Sequence, residues 1–231
     1  MRPIRRGVCF LSRLGKIVAE EAVNPIRGLY AITPDEPDTT ALLHQLRLAM
    51  RGGAQVVQYR NKSAGPDLQL QQARALRLLT REFGTTFIVN DDARLAAQVA
   101  ADGVHLGSED GDIAAARGLL GAARTIGVSC YNRAPLAFEA ARQGADYVAF
   151  GAFFASAVKP GAVQAEVQML RAVRRELSVP IVAIGGITPH NGAALIEAGT
   201  DALAVISALW NAPDIEQAAR NFSTLFGRTS A

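Results

Sequence analysis

Short apolar runs alternate with longer amphipathic runs along this chain, from about residue 28 to residue 226. Each short run is rich in Val, Ile, Leu and Ala and stops at Gly, Pro or polar residues, as buried strands do. The longer runs carry apolar residues at helical spacing, for example Leu42, Leu43, Leu46 and Met50. The pattern predicts strands at 28–33, 54–60, 87–89, 103–106, 125–130, 147–151, 179–185 and 202–206.

Helices are predicted between these strands, at 39–50, about 67–83, 93–100, 134–143, about 163–177, 189–198 and 215–226. Eight strand–helix units in about 200 residues are the number and size expected of a (β/α)8 barrel. The alternative is an open doubly wound sheet, which usually has fewer strands and a G-x-G-x-x-G turn after the first one. That turn is absent after Ile32. We therefore predict a single α/β domain with the (β/α)8 TIM-barrel fold and an active site at the carboxyl ends of its strands.

The chain has 231 residues, of which 49% are hydrophobic and 19% charged, and no low-complexity linker divides it. This size suits one large α/β domain or two small ones. We assign residues 1–27 to an N-terminal extension, 28–227 to the barrel catalytic domain and 228–231 to a C-terminal tail. The extension lacks the strand–helix pattern, and its first 16 residues contain basic residues but no acidic one.

Composition also excludes several classes of function. The net charge is +3, but the expected barrel has no basic stripe with interleaved aromatic residues, so we predict no nucleic-acid partner. No apolar stretch reaches the length of a membrane span. Cys9 and Cys130 are too few for a disulfide framework, which favours a reducing cytoplasm. The oligomeric state stays open, with a homo-oligomer as one alternative.

The segment 86–110 contains the first candidate chemical site. Its two apolar runs flank an Ala- and Leu-rich stretch and therefore form a predicted strand–helix–strand unit. Asp91 follows the first strand of this unit, and Asp110 follows the second. A right-handed crossover places both carboxylates at one edge of the sheet, where they can share a divalent cation.

Three basic residues are candidates for binding an anion near these carboxylates. Arg60 and Lys62 follow the second predicted strand and point the same way from an extended segment. The alternative is a solvated pair of loop charges. Lys159, across the barrel, favours the first interpretation, because three cations facing two carboxylates suit a metal-bridged diphosphate.

A second anion site is predicted after strands seven and eight. Gly185 and Gly186 allow backbone N–H groups to approach a ligand, and Ser207 follows the next strand. Barrels frequently bind phosphate at these two loops. The alternative is that the glycines only form a tight turn. His105 lies inside an apolar strand, where a hydrogen-bonded structural histidine is expected, and Cys130 has no evident histidine partner for nucleophilic chemistry.

Taken together, these motifs resemble the thiamine-phosphate synthase and thiazole tautomerase family, and the resemblance covers about residues 28–210. The matching pieces occur in family order: Gln58-x-Arg60-x-Lys62, Asn90-Asp91-Asp92, His105-Leu106-Gly107-Ser108-Glu109-Asp110, Gly127-Val128-Ser129, Lys159, Ala183-Ile184-Gly185-Gly186-Ile187 and Val205-Ile206-Ser207. The family fold is also a (β/α)8 barrel.

The resemblance implies a role for each matching residue. The pyrimidine diphosphate would be held by Gln58, Arg60, Lys62, Asn90, Ser129 and Lys159. Asp91 and Asp110 would bind Mg²⁺, the one cofactor implied. The thiazole phosphate would be held by Ser156, Gly186, Ile206 and Ser207. Arg60, Lys62 and Lys159 would be the catalytic residues.

The implied reaction joins 4-amino-5-hydroxymethyl-2-methylpyrimidine diphosphate to 4-methyl-5-(2-hydroxyethyl)thiazole phosphate and releases pyrophosphate. In the family the C–O bond is understood to ionise first, and the thiazole nitrogen then captures the pyrimidine methyl cation. Such a dissociative substitution needs neutralisation of the leaving diphosphate more than it needs a base. Mg²⁺ and the three cations could supply that neutralisation.

One departure from the family pattern leaves two alternatives open. Val158 stands where a second hydroxyl is usual before Lys159, and Ala155 stands where proline is usual. A catalytically weakened barrel that only binds thiamine precursors is therefore one alternative. The other is a thiazole tautomerase-like isomerase, whose acid/base histidine would be expected near the end of strand five, where this chain has Tyr131. Retention of Arg60, Lys62 and both aspartates favours the synthase.

Overall fold

The computed structural model describes residues 26–107, 112–155 and 165–227. Within these residues eight parallel strands form a closed barrel in sequential order, and β8 pairs with β1. The predicted (β/α)8 barrel is therefore confirmed. The strands are β1 (Gly28–Ile32), β2 (Ala54–Tyr59), β3 (Thr86–Asn90), β4 (Gly103–Leu106), β5 (Thr125–Tyr131), β6 (Tyr147–Phe150), β7 (Ile181–Ile184) and β8 (Ala202–Val205).

The helices surround this barrel. They are α1 (Thr39–Arg51), α2 (Pro66–Phe83), α3 (Ala93–Gln98), α4 (Ile113–Leu120), α5 (Ala134–Arg142), α6 (Val167–Glu176), α7 (Gly192–Glu197), α8 (Ser207–Trp210) and α9 (Ile215–Gly227). Several of them differ from the sequence prediction. Helix α4 was not among the predicted helices, and α7 begins at Gly192 rather than at residue 189. Helix α6 begins at Val167 rather than near residue 163, and α8 is an additional short helix between β8 and α9. No helix in the described ranges is long and apolar enough to cross a membrane.

Two separate hydrophobic cores follow from the alternation of side chains along each strand. The outer core fills the layer between sheet and helices and includes Leu29, Val57 and Phe87. The inner core fills the barrel and includes Tyr30, Val56 and Tyr147. Ile26, which precedes the predicted start of the barrel domain, is 4% exposed and packs in this inner core.

Arginine–aspartate pairs join helices to strands at the amino end of the barrel. Within the described residues the arrangement occurs three times, with Nη–Oδ distances of 2.7 Å for Arg77–Asp102, 2.6 Å for Arg117–Asp146 and 2.9 Å for Arg174–Asp201. Each aspartate also accepts from the N–H of a residue at the start of β3, β5 or β7 and returns its own N–H to the carbonyl of that residue. The carboxylates therefore hold the amino ends of neighbouring strands in register.

Candidate active site

The first two strands are tied together at their carboxyl ends by Thr33. Its hydroxyl donates to the Arg60 carbonyl oxygen at 2.7 Å and accepts from the Arg60 N–H at 2.8 Å. The carboxylate of Asp35 accepts from the Lys62 N–H at 2.9 Å. These contacts fix the backbone of the segment that carries both predicted cations.

Each of the two cations also contacts a carboxylate through its charged end. Arg60 Nη1 lies 3.4 Å from Asp35 Oδ1, and Lys62 Nζ lies 3.4 Å from Asp91 Oδ2. The Lys62 side chain, which is 60% exposed, thus extends from β2 towards the end of β3. Pairs at this distance are weak, particularly where solvent reaches them, so a more highly charged anion can compete for the cations.

Two adjacent aspartates follow β3, and the structure gives them different tasks. Asp92 precedes α3 as its N-cap, and its Oδ1 accepts from the Leu95 N–H at 2.9 Å. Asp91 has a left-handed backbone with φ of 63°, and its N–H donates to the His105 carbonyl at 2.8 Å. Asp91 therefore sits between the carboxyl ends of β3 and β4 and presents its carboxylate to Lys62. Of the two adjacent aspartates, the predicted metal ligand Asp91 thus faces the site, whereas Asp92 caps a helix.

Three further residues assigned to the pyrimidine diphosphate lie within the strands themselves. Gln58 is 3% exposed, and its Nε2 donates to the Tyr30 hydroxyl at 2.9 Å. Asn90 is the last residue of β3 and is half-buried. Ser129 Oγ on β5 lies 2.9 Å from His105 Nε2. The predicted structural histidine is thus hydrogen-bonded, as expected, and one of its partners is a predicted site residue.

The loop after β7 has a backbone that favours glycine. Gly185 and Gly186 have φ of 101° and 64°, in the left-handed region that side chains disfavour. A Cβ on Gly186 would also lie 2.5 Å from the Ala155 carbonyl oxygen. Asn191 holds this turn by donating from Nδ2 to the Gly186 carbonyl oxygen at 3.1 Å. The close approach of two loops requires Gly186 to remain without a side chain.

Two further predicted residues lie beside this turn. Ile184 pairs with Ala204, so Gly186 and Ile206 both follow the paired residues by two positions, at the ends of neighbouring strands. Ser207 comes next and begins α8. The structure therefore brings Gly186, Ile206 and Ser207 to one part of the carboxyl end, although α8 itself was missing from the prediction.

Cys130 lies near the site, but its thiol is a poor nucleophile. Its thiol is fully buried in the outer core, and burial raises its pKa to about 12. A thiol with such a pKa is almost entirely protonated at neutral pH and is a poor nucleophile. This agrees with the expectation that Cys130 takes no part in the chemistry.

Several predicted site residues lie outside the described residues: Asp110, Ser156, Val158 and Lys159. The described residues contain no group of three or more metal-ligating side chains. Of the predicted metal ligands they include Asp91, which is partly exposed at the carboxyl end. A single carboxylate in that position fits Mg²⁺, which commonly uses one or two protein carboxylates and takes its other oxygens from water and phosphate.

The sequence prediction missed Asp35, Tyr30 and Tyr147. Asp35 was detectable, because it comes directly after the first predicted strand and the same search for polar residues at strand ends would include it. Tyr30 and Tyr147 lie inside strands and look like core residues in the sequence. Their hydroxyls meet at 2.9 Å across 117 residues of sequence, and no local pattern indicates that contact.

The site combines cations from β2, a carboxylate from β3 and a hydroxyl from β5 with a glycine turn after β7. Such a set can bind an elongated anion whose charge is shared between cations and a metal. The glycine turn and Ser207 can bind a second phosphate with backbone and hydroxyl donors. The arrangement therefore suits two phosphorylated ligands side by side at one end of a barrel.

Comparisons with known proteins point to one family. The family model for thiamine monophosphate synthase matches residues 29–209. The chain is 54% identical over 209 residues to thiamine-phosphate synthase of Methylobacillus flagellatus, covering 90% of this chain and 100% of that protein. It is 53% identical over 201 residues to thiamine-phosphate synthase of Aromatoleum aromaticum, covering 87% and 97%. A solved structure, thiamine phosphate pyrophosphorylase from Pyrococcus furiosus, superposes with a TM-score of 0.79 at 33% identity and covers 88% of this chain and 97% of that one.

Proposed function

The chain belongs to the thiamine monophosphate synthase family and is a transferase that forms thiamine phosphate, and we propose that it does so by a dissociative, Mg²⁺-assisted substitution at the carboxyl end of the barrel. The proposed substrates are 4-amino-5-hydroxymethyl-2-methylpyrimidine diphosphate and 4-methyl-5-(2-hydroxyethyl)thiazole phosphate. The products are thiamine phosphate and pyrophosphate.

The contact between Lys62 and Asp91 carries this proposal. It brings a cation that follows β2 and a carboxylate that follows β3 within 3.4 Å of each other. Arg60, two residues before Lys62, adds a second cation, which contacts Asp35. A diphosphate in this position interacts directly with Arg60 and Lys62, and Lys159 contributes a third positive charge. Asn90 and Ser129 add neutral polar groups on the neighbouring strands.

Asp91 and Asp110 would hold Mg²⁺ together with oxygens of the diphosphate. When bound there, Mg²⁺ supplies further neutralisation of negative charge on the leaving group. Asp91 has a left-handed backbone, and the N-cap of α3 is formed by Asp92 instead. The Asp91 carboxylate is therefore not used to cap the helix. The cations that contact the same diphosphate are the catalytic residues Arg60, Lys62 and Lys159.

The thiazole phosphate would bind at the turn after β7 and the end of β8. Gly186 allows close approach of backbone N–H groups, and Ile206, Ser207 and Ser156 complete the phosphate contacts. This places the second substrate beside the first. Proximity of this kind replaces an encounter in solution and removes much of the entropic barrier.

In the proposed step the bond between the methylene carbon and the diphosphate oxygen breaks, and its electron pair leaves with pyrophosphate. The lone pair of the thiazole nitrogen then forms the new C–N bond. Charge moves onto the leaving oxygen during this step, so a cation near that oxygen stabilises the transition state more than the ground state. No protein base is needed, in agreement with the neutral, buried Cys130.

Pyrophosphate release tests the proposal directly. Purified full-length chain with Mg²⁺ and both substrates should release pyrophosphate and thiamine phosphate in equal amounts, and neither substrate alone should do so. An isomerised thiazole phosphate without pyrophosphate would assign the tautomerase reaction instead. Binding of both substrates without any product would assign the weakened, binding-only barrel.

The proposed location is the cytoplasm. Cys130 is a free, buried thiol, and both proposed substrates are small charged phosphate esters. Free cysteines and phosphorylated intermediates both suit a reducing compartment.

A further inference from the structure

A continuous row of side-chain hydrogen bonds crosses the inside of the barrel from Gln58 to Ser129. Gln58 Nε2 donates to the Tyr30 hydroxyl, which lies 2.9 Å from the Tyr147 hydroxyl. The Tyr147 hydroxyl lies 2.9 Å from His105 Nδ1, and His105 Nε2 lies 2.9 Å from Ser129 Oγ. The row links β2 to β5 through β1, β6 and β4, and both of its ends are predicted to contact the pyrimidine diphosphate.

The middle of this row depends on a glycine in β5. Gly127 pairs with His105 on one side and with Tyr147 on the other. A Cβ on Gly127 would lie 1.9 Å from Tyr147 Cζ, so any larger residue at this position would clash with the tyrosine ring. The rings of His105 and Tyr147 instead stack over the gap, with centroids 5.5 Å apart and planes inclined by 27°.

The hydrogen bonds of this row all have to point in the same direction, from Gln58 towards Ser129. The amide nitrogen of Gln58 donates and cannot accept, so the Tyr30 oxygen acts as acceptor towards it. Tyr30 is buried, and a hydroxyl proton left without an acceptor there is costly. The other side-chain partner of its hydroxyl among the described residues is Tyr147, so the Tyr30 proton is donated there.

The same reasoning continues to the far end. Tyr147 accepts from Tyr30 and therefore donates to His105 Nδ1, which leaves the ring proton on Nε2. His105 Nε2–H then donates to Ser129, whose own proton remains available for another acceptor. Burial raises the pKa of Tyr30 and of Tyr147, so both hydroxyls stay neutral. Each can therefore accept one hydrogen bond and donate the next one along the row.

We propose that Tyr30, Tyr147 and His105 are positioning residues, and that their one-directional hydrogen bonds set Gln58 as an acceptor and Ser129 as a donor towards the substrate. Gln58 Oε1 makes no hydrogen bond to any residue that the structure describes, and is left to accept from the amino group of the pyrimidine. The Ser129 hydroxyl is left to donate to the diphosphate. This inference rests on the proposed function, because it assigns the two free groups to the two ends of that substrate.

The arrangement also explains how one substrate is recognised at two distant points. A ligand with a donor at the Gln58 end and an anionic acceptor at the Ser129 end satisfies the row at both ends. A ligand with an acceptor in place of the amino group would face the Gln58 oxygen with no proton between them. Reversing the amide to meet such a ligand would reverse every bond in the row and remove the Ser129 donor.

Nitrogen NMR of the histidine rings tests the direction of the row without any substrate. The chain has three histidines, so His44→Gln and His190→Gln in the full-length, 15N-histidine-labelled protein assign the His105 signals. The spectra are recorded at a pH at which the ring is neutral, and the expected tautomer carries its proton on Nε2. A neutral ring with its proton on Nδ1 would overturn the proposal.

Kinetics of Tyr147→Phe test whether the row matters to the substrate. With the row broken, kcat/KM for the pyrimidine diphosphate should fall about tenfold to a hundredfold, the loss expected for one hydrogen bond to a charged group. KM for the thiazole phosphate should change less than about twofold, because that substrate binds elsewhere.

Tyr59→Phe is the matched control. The Tyr59 hydroxyl is also buried on a strand and donates to Gln72 Oε1 at 2.9 Å, but it lies in the outer core. The control should lose a similar amount of thermal stability and keep its kinetics and His105 signals. Equal kinetic losses in both tyrosine variants would reduce the row to a structural role and overturn the proposal. Absence of pyrophosphate release by the wild type would instead overturn the proposed function and leave the NMR result standing.

Discussion

The two ends of the barrel use the same kinds of charged residue for different purposes. At the amino end, Arg77 and Asp102 approach to 2.7 Å, and the carboxylate also accepts a backbone N–H from β3. At the carboxyl end, Lys62 and Asp91 are 3.4 Å apart. The Arg77 side chain is 10% exposed, whereas that of Lys62 is 60% exposed.

The difference in distance and exposure separates charges that stabilise the fold from charges that can bind a ligand. A carboxylate that holds an arginine and two strand ends cannot release them without loosening the fold. A long contact near solvent contributes little to stability, and its cation can turn to a ligand at little cost. Substitutions at the amino end should therefore reduce stability and spare catalysis, and substitutions at the carboxyl end should do the reverse.

The largest effect is expected for Asp91→Asn. We expect kcat/KM to fall about a hundredfold to a thousandfold, because charge stabilisation of the leaving group and the Mg²⁺ contact are both weakened. The Mg²⁺ concentration for half-maximal activity should rise steeply, and the melting temperature should stay within about 2 °C of the wild type.

Asp92→Asn is the control for this variant, since asparagine caps a helix about as well as aspartate. It should leave the Mg²⁺ titration unchanged. An unchanged Mg²⁺ titration in Asp91→Asn as well would remove that residue from the metal site.

A loss of stability is expected for Asp102→Asn at the opposite end. The substitution keeps an acceptor for the Phe87 N–H but leaves the Arg77 guanidinium, which is almost buried, without its counter-charge. We expect a loss of about 2–3 kcal/mol in the free energy of unfolding, measured by urea denaturation. If kcat fell at a temperature where the variant is fully folded, the separation of the two ends would be wrong.

The strand count and the polar residues at strand ends were readable from the sequence because both arise from local patterns. The short helix α8 was not, because four residues contain too little periodicity to detect. The start of α6 was placed too early, because residues 163–166 contain no glycine or proline that would mark a helix boundary, whereas Glu166 takes the N-cap position.

Side-chain contacts between strands were not predictable from the sequence. Lys62 follows β2 and contacts Asp91 after the neighbouring strand β3, which depends on side-chain direction rather than on spacing. Tyr30 on β1 meets Tyr147 on β6 inside the barrel, and this contact depends on barrel closure because the two strands are not neighbours. The three amino-end pairs also join residues far apart in sequence, since each arginine lies on a helix and its aspartate before a later strand.

A smaller effect on activity is expected for Lys62→Met. Methionine keeps much of the length of the side chain and removes its charge, so we expect kcat/KM for the pyrimidine diphosphate to fall about tenfold to a hundredfold. Arg81→Met removes an exposed cation from the last turn of α2, at the amino end of the barrel, and should change kcat/KM less than about twofold. Equal losses in the two variants would mean that the overall charge of the protein, rather than the site, attracts the substrate.

The smallest effect concerns Cys130, which is close to the site but belongs to the outer core. Its folded pKa of about 12 lies above the usual value of 9.0, so unfolding releases its proton once the pH exceeds about 9. The wild type should therefore lose about 1 kcal/mol of stability relative to Cys130→Ala between pH 8 and pH 10. Urea denaturation at both pH values measures this change. A constant difference between the two proteins would show that the thiol is accessible to solvent.

The most direct test of the division between the two ends is stabilisation by the product pyrophosphate in the presence of Mg²⁺. At a concentration about a hundred times its dissociation constant, a ligand of the folded state adds about 2.7 kcal/mol, or roughly 5–10 °C in melting temperature for a chain of this size. The wild type and Asp102→Asn should both gain this shift, although the variant starts from a lower melting temperature. Asp91→Asn should gain less than about a third of it. An equal shift in Asp91→Asn, or a lost shift in Asp102→Asn, would contradict the claim that the charges of the carboxyl end bind the ligand and those of the amino end hold the fold.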